Sequence, residues 1–358
     1  MSGVWGNKLK ISVFGESHSA AIGVVLDGVP AGTKLDLDAI KAQMARRAPN
    51  GGDFSTPRKE SDEFELLCGV MDGVAEGTPI CAVIKNTNVR SSDYAQLKDV
   101  MRPSHADYGY RMKYRANNDY RGGGASSGRL TAPLVFAGAV ARQLLAQRGI
   151  DVVSHILSVG GVCDEHFGTQ IDGSLAEALK GEILPVIDEN VRERMKAEIA
   201  AARADGDSVG GRIECAVTGL PAGLGDPLFD SVESVLSSLL FSVPAVKGVE
   251  FGSGYGMTAK RGSEVNDCWY FDDDGNVRTR TNNNGGVLGG ISTGMPIVFN
   301  VAIKPTASIF KEQDTVNVAT GENVKLSLKG RHDPFIVVRA LPVIEAAAAL
   351  AIYQFVKD

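Results

Sequence analysis

Leu9, Ile11 and Val13 alternate with polar or small neighbours near the start of the chain, and this period of two predicts a strand. The strand runs out at Phe14-Gly15-Glu16-Ser17-His18-Ser19, which places His18 on a loop where a side chain can reach a cleft. A second strand is expected over 22–26. Asp36 then reads as the cap of a helix whose Leu37, Ile40 and Met44 share one face. Pro49 disfavours helical geometry just before it, so this helix should stop near Ala48 with Arg46 and Arg47 in its last turn. Cations suit that end of the helix dipole, and the same forked guanidinium pair could also bind carboxylate or phosphate.

Residues 64–70 and 79–85 read as two strands of a hairpin turning through Met71-Asp72-Gly73. The span 134–147 is apolar nearly all round at first, with Phe136, Val140, Leu144 and Leu145, so it predicts a buried helix with Pro133 in or near its first turn. A strand is expected over 152–159, then an amphipathic helix over 189–204 that breaks at Gly206-Asp207-Ser208-Val209-Gly210-Gly211. Ile213, Cys215 and Val217 alternate as a strand. Asp230 with Glu233 predicts a capping box for the helix carrying Val235, Leu236 and Leu239, which Pro244 ends. Strands follow over 246–251 and 297–303, and a closing helix from 343 to about 355. Strand, strand, helix recurs in both halves, consistent with internal pseudo-symmetry.

The chain has 358 residues, 44% hydrophobic and 22% charged, which bounds it to an ordinary globular protein able to bury a sizeable core. A net charge of -6 gives no electrostatic support for nucleic-acid binding, so arginine clusters point to small anions. The five cysteines are widely spaced with no Cys-x-x-Cys pair, which argues for a reducing compartment and against a zinc site or disulfide framework. With no apolar signal core at the start and Glu345 and Gln354 interrupting the apolar 340–356 stretch, a cytoplasmic location is expected.

The candidate chemistry centres on residues 102–129. His105, Arg102, Arg121, Arg129, three successive glycines and the pair Ser126 and Ser127 precede the long apolar helix. Glycines allow close backbone approach to a ligand, while serines, free N–H groups and a helix start favour an anion; the plainer reading is a glycine turn with a helix cap. A Walker loop, His-Glu-x-x-His and Gly-x-Ser-x-Gly are all missing, and the glycines at 122–124 do not follow a strand at dinucleotide-fold spacing. Three loops instead carry a titratable group beside a charged neighbour: His105 with Arg102, Asp333 with Arg331, and His18 with Glu16. Adding Arg46, Arg47, Arg129 and Arg339 makes a strongly cationic site, suited to a small polyanion, with histidines able to act as general acids.

Phe14-Gly15-Glu16-Ser17-His18, Arg102-Pro103-x-His105-Ala106-Asp107-Tyr108, Asp119-Tyr120-Arg121-Gly122-Gly123-Gly124, residues 206–211, Pro244-Ala245-Val246-Lys247-Gly248-Val249-Glu250, residues 285–292 and Gly330-Arg331-His332-Asp333-Pro334 together resemble chorismate synthase, in that family's order along essentially the whole chain. The resemblance implies an α+β fold in one domain over 1–358, a β-α-β sandwich with helices between antiparallel sheets and pseudo-symmetric halves, assembled as a homotetramer. It implies elimination of phosphate and a ring hydrogen from 5-enolpyruvylshikimate 3-phosphate to give chorismate, dependent on reduced FMN without net redox change. Carried over, His105 protonates or stabilises the reduced flavin, His18 is the acid toward the departing phosphate, and Asp333 assists hydrogen removal through flavin N5. Arg46, Arg47, Arg102, Arg129 and Arg339 would hold the carboxylates and phosphate. Ser126, Ser127, Pro244, Ala245, Gly289, Lys304, Pro305, Thr306, Ala307, Ser308 and Arg331 would contact FMN. No nicotinamide (NADP) site is recognisable, so reduction of the flavin is expected from an external reductase or reductant.

The chain departs from the family's usual Arg-Gly-Gly-Gly-Arg-Ser-Ser-Ala-Arg-Glu-Thr at Ala125, Gly128 and Leu130, and Ala48 with Asn50 to Asp53 replace a more basic run. These changes motivate one alternative, a scaffold that binds flavin or a phosphometabolite without turnover. A generic phosphate-ester hydrolase fits less well, for want of a metal-ligand cluster or an activated nucleophile.

Overall fold

A computed structural model describes residues 3–49, 61–87, 97–328 and 333–356. The early alternation resolves into a five-stranded antiparallel sheet, ordered Val4–Trp5, Lys10–Gly15, Ala21–Asp27, Ile80–Lys85, Phe64–Cys68. Its inward positions are the expected apolar ones: Ile22, Val24 and Leu26 on one strand face the core with Ile80, Ala82 and Ile84 on the next. The 64–85 hairpin forms as read, with a bulge between Leu66 and Cys68 that ends the regular pairing.

The second five-stranded antiparallel sheet is ordered Val246–Phe251, Ile297–Ile303, Gly211–Thr218, Asp151–Val159, Val162–Cys163. Asp151–Val159 is buried along almost its whole length because both faces are covered. The closing helix lies on one face, where Ser154 meets Glu345; the Gly173–Lys180 helix lies on the other, where Val153 clusters with Ala176 and Leu179; and the Glu189–Ala204 helix packs where this strand pairs with Val162–Cys163. The outer layer includes a buried polar tie: His155 sits between Asp164 and Glu214, each 3.0 Å from a ring nitrogen, and joins two strands to the loop that follows.

Between the sheets lie two long, largely buried helices. Thr131–Ala146 packs on the first sheet, Val337–Tyr353 on the second, and each on the other. This is the expected β-α-β sandwich, with each half contributing a sheet followed by a buried helix. The helices meet closely at Gly138, where an added Cβ would fall 2.2 Å from the Ala346 Cβ and 2.4 Å from its Cα. No flexible side chain can yield there. Gly138→Ala is therefore expected to destabilise the fold by about 1–3 kcal/mol, read as a lowered urea midpoint at fixed protein concentration.

Two boundaries differ from the sequence reading. The closing helix begins at Val337, not at 343, and runs through Pro342. Proline lacks an N–H and crowds the carbonyl four residues back, which normally restricts it to a first turn; here burial of nearly every residue from Leu341 to Tyr353 outweighs that cost. The Val232–Leu240 helix is capped by Ser231, whose hydroxyl accepts from the Ser234 amide, and not by Asp230. Asp230 instead ends the short turn before it.

Candidate active site

Two histidines and a cluster of arginines converge at one end of the sandwich, and the glycine run is what brings the histidines together. Gly122, Gly123 and Gly124 have φ of 59°, 94° and 52°, backbone that favours glycine. A Cβ on Gly122 would lie 2.4 Å from the His18 ring and 2.7 Å from the Ser17 hydroxyl. On Gly123 it would lie 3.2 Å from the His105 ring and 3.6 Å from the Ser126 hydroxyl. The missing side chains thus let His18 and His105 approach the same loop from its two sides. Ser17 fastens the His18 loop to it, donating to the Arg121 carbonyl at 3.0 Å and hydrogen-bonding the His18 ring at 3.0 Å.

His105 is held by neighbours of its own motif. Its Nδ1 is 2.7 Å from Asp107 and 3.1 Å from an Arg102 nitrogen, while Arg102 binds Asp107 through Nε at 2.8 Å and Nη2 at 2.7 Å. Burial opposes a charge on Asp107, but the hydrogen bonds and charges of Arg102 and His105 prevail and hold its carboxyl well below the usual range. Lys304 closes this side: its ammonium donates to the Ser104 carbonyl at 2.5 Å and its backbone N–H to the Ala245 carbonyl at 3.0 Å. Ser104 and Ala245 both have positive φ, at 56° and 74°, so strained backbone sits on either side of this clasp.

The arginines assemble on the other side. Arg47, 2% exposed, bonds Asp62 through Nε at 2.6 Å, and Arg129 reaches the other oxygen of the same carboxylate. Arg339 donates to the Arg47 carbonyl at 3.1 Å and to Asp333 at 2.7 Å. Burial, only partly countered by Asp62 and reinforced by nearby Arg339 and Arg129, pushes the Arg47 guanidinium down to about 10. Among the described residues three guanidiniums thus gather around two carboxylates, Asp62 and Asp333, a cationic surrounding that suits an anion.

These two sides form one circuit. Arg129 donates to Asn86, which donates in turn to the Glu16 and Ser19 carbonyls flanking His18. In the other direction Asp333 is followed by Pro334, whose carbonyl accepts from Val209, and Ser208 donates to Thr306 on the segment after Lys304. His18, His105, Asp333, Arg47, Arg102, Arg129, Arg339, Ser126, Ser127, Ala245 and residues 304–308 all lie on or beside this circuit. Thr306 Oγ1 is buried with no hydrogen-bond partner among the described residues, a polar group open to a ligand.

Other expected residues are placed elsewhere. Arg46 points into the helix layer, bidentate to the buried Glu345 at 2.6 and 3.0 Å. Gly289 lies on the turn between Val287–Leu288 and Ile291–Ser292, beyond the Ile297 end of a strand whose far end leads to Lys304. Arg331 and Asp53 fall outside the described residues. Ala125 is half-buried on the glycine loop, and the charge an arginine would bring there is not replaced by any side chain of that loop. Sequence reasoning passed over Asp62, Asn86 and Asp107. Asp107 was within reach, because Arg-x-x-His-x-Asp puts three polar groups on one tight turn; Asp62 and Asn86 carry no local signal.

Similarity to known proteins extends over nearly the whole chain. The family model described as chorismate synthase matches residues 9–356. The chain is 42% identical to the chorismate synthase of Methanocaldococcus jannaschii, covering 97% of this chain and 94% of that protein. It is 46% identical to that of Lachnoclostridium phytofermentans, over 97% and 93%. A solved structure titled as the crystal structure of chorismate synthase superposes with a TM-score of 0.75 at 25% identity, over 98% of this chain and 92% of the other. Sandwich, glycine-separated histidines and arginine cluster thus occur in a chain that matches one family from end to end: it belongs to the chorismate synthase family.

Proposed function

We propose that this chain carries out its family's reaction, the elimination of phosphate from 5-enolpyruvylshikimate 3-phosphate to give chorismate at the end of the shikimate pathway. The observation that carries the proposal is the placing of His18 and His105 on either side of the Gly122–Gly123 backbone, within one circuit that also holds the cluster of Arg47, Arg129 and Arg339. In the reaction the ring C–O bond to phosphate and one ring C–H bond break and a second ring C=C bond forms: the C–O electrons leave with phosphate, the C–H electrons end in the rearranged ring double bonds, and the hydrogen leaves as a proton. His18 is assigned as the acid toward that phosphate, which leaves more readily when protonated and surrounded by guanidinium. Arg47, Arg129 and Arg339 are assigned to the substrate's anionic groups and Asp333 to removal of the ring hydrogen, whereas the expected contacts Arg46 and Arg102 are braced apart from that cluster, on Glu345 in the helix layer and on Asp107 beside His105.

The residues fit FMN: Gly123 leaves the His105 edge uncovered, and Thr306 offers a buried hydroxyl that has no partner among the described residues. Reduced FMN, when bound, supplies electron density to the reacting system as phosphate departs. Ser126, Ser127, Pro244, Ala245, the 304–308 segment, Gly289 and Arg331 are assigned to hold it, and His105 to keep the proton at its edge. The family resemblance further supports a homotetramer, the widely spaced cysteines support a cytoplasmic setting, and the lack of a recognisable nicotinamide motif in the sequence supports reduction of the flavin by an external reductase. Among the described residues no helix is long and apolar enough to cross a membrane.

The deciding assay is anaerobic incubation of the phosphate ester with the protein and chemically reduced FMN, beside an oxidised-FMN control. Chorismate is expected only with reduced flavin. Tight binding of flavin and substrate without product would instead identify a catalytically silent relative.

A further inference from the structure

We propose that Asp107 is a positioning residue, which holds His105 with its proton on Nδ1 and presents Nε2 to the Gly123–Ser126 loop, with Arg102 as its brace. One Asp107 oxygen accepts from the Arg102 backbone N–H at 3.0 Å and from Arg102 Nε at 2.8 Å. The other is 2.7 Å from both Arg102 Nη2 and His105 Nδ1. Four positions around the carboxylate are thus taken, and three of them are certainly N–H groups. Only an ionised, acceptor-only group suits such surroundings.

The fourth contact settles the imidazole. A bare nitrogen lone pair 2.7 Å from a carboxylate oxygen is repulsive, whereas Nδ1–H to carboxylate at that length is a short charge-assisted hydrogen bond. The 3.1 Å approach of Arg102 Nη2 to Nδ1 offers the opposite arrangement, with Nδ1 as acceptor. That nitrogen has two N–H groups about 120° apart, but the 2.7, 2.7 and 3.1 Å separations form a nearly equilateral triangle, so Asp107 and Nδ1 lie only about 55° apart as seen from Nη2. The N–H that serves Asp107 leaves the other aimed away from Nδ1, and the carboxylate takes both protons. Nε2 is then the nitrogen left for chemistry, and it lies on the side where Gly123 has no side chain, 3.4 Å from where a Cβ would be.

The brace is itself anchored. Met101, next to Arg102, donates from its backbone to Val316 at 3.2 Å and accepts from the Thr315 hydroxyl, so the motif is stitched to the Gln313–Asn317 strand. Asp107 opens the Asp107–Lys113 helix, where a negative charge is favoured. Side-chain exposure of 6% for Arg102 and 8% for Asp107, against 21% for His105, matches two buried supports and one presented group.

Asp107→Asn is the test, because it keeps shape and removes one acceptor. With its oxygen toward Arg102, the amide NH2 faces Nδ1 and favours the other tautomer, Nε2–H. In 15N solid-state spectra of the histidine-labelled full-length protein near about pH 8, with His105 assigned by its loss in His105→Ala, wild type is expected to show a protonated Nδ1. Asp107→Asn should move that proton to Nε2. In the anaerobic assay kcat should fall about 10- to 100-fold with KM changed much less, and Asp107→Glu should recover part of the loss. A wild-type Nδ1 without a proton would overturn the proposal whether or not the variant folds, and so would an unchanged tautomer in Asp107→Asn. The kinetic part rests on the role given to His105 under the proposed function. A moved proton with undiminished kcat would uphold the positioning and overturn that role.

Discussion

Replacing His105 with alanine is expected to lower kcat by about 10²- to 10⁴-fold while KM changes only a few-fold, the usual scale for removing a positioned acid-base group. The separation follows from where the side chain sits. His105 faces the Gly123 gap next to the assigned flavin segment, whereas the arginines assigned to substrate, Arg47, Arg129 and Arg339, are gathered around Asp62 and Asp333 on the other side of the circuit. Loss of the imidazole leaves the Arg102–Asp107 pair intact with both its bonds, so the fold should survive and far-UV circular dichroism should be unchanged. Steady-state kinetics with reduced FMN under anaerobic conditions makes the distinction. An equal loss in binding and turnover would place His105 among the substrate contacts instead.

The second large effect is on stability. Glu345 lies in the middle of the Val337–Tyr353 helix, 2% exposed, and is bonded by Arg46, by Arg142 at 2.6 Å and by Ser154 at 2.8 Å. Burial would raise its pKa, but the two arginines with Ser154 hold it down to about 2 from an ordinary 4.5. Glu345→Ala leaves two guanidiniums between the sheets without their shared anion. Breaking a buried pair in this way costs about 3–5 kcal/mol, far more than the surface pairs of this chain such as Lys41–Asp38.

The sign of the pH dependence follows from the depressed pKa. A carboxyl lowered in the folded state contributes stability that is fully present above its unfolded value and is lost as pH falls through the folded one. The wild-type advantage over Glu345→Ala should therefore be constant near neutrality, shrink as pH drops below about 4.5, and be largely gone near about 2. Urea titrations of both proteins at a series of pH values and one protein concentration would show it. A difference independent of pH would mean that Glu345 acts through packing alone. Because Arg46 is one of the two cations concerned, its replacement should lower the urea midpoint before it alters KM.

Local pattern and local chemistry were enough for most of the elements. Period-two apolar positions such as Ile22, Val24 and Leu26 specify a strand with one buried face, since a slip of one residue would expose all three. Asp36 caps its helix as read, accepting from the Asp38 and Ala39 amides, because capping is settled within one turn of chain. The Gly122–Gly124 run announces backbone that other residues rarely adopt. Motif order along the chain pointed to the family before any contact was known.

The partners of the charged groups were decided only by the tertiary structure. Arg46 and Arg47 are adjacent in sequence, yet successive residues of a helix point about 100° apart, so one enters the helix layer to meet Glu345 and the other meets Asp62 at the site. Glu345 reads in sequence as a break in an apolar stretch. It becomes the centre of a buried ion cluster only because Arg46 and Arg142 arrive from two other helices. Pro342 argues locally for a later helix start and is overruled by packing on both sides. Nearest-neighbour sterics and hydrogen bonds determine a strand, a cap or a glycine turn within a few residues, and these the sequence by itself determined. The pairing of a charge depends on which distant segment the closed sandwich brings within 3 Å, and desolvation then makes that pairing obligatory, so it belongs to the tertiary structure alone.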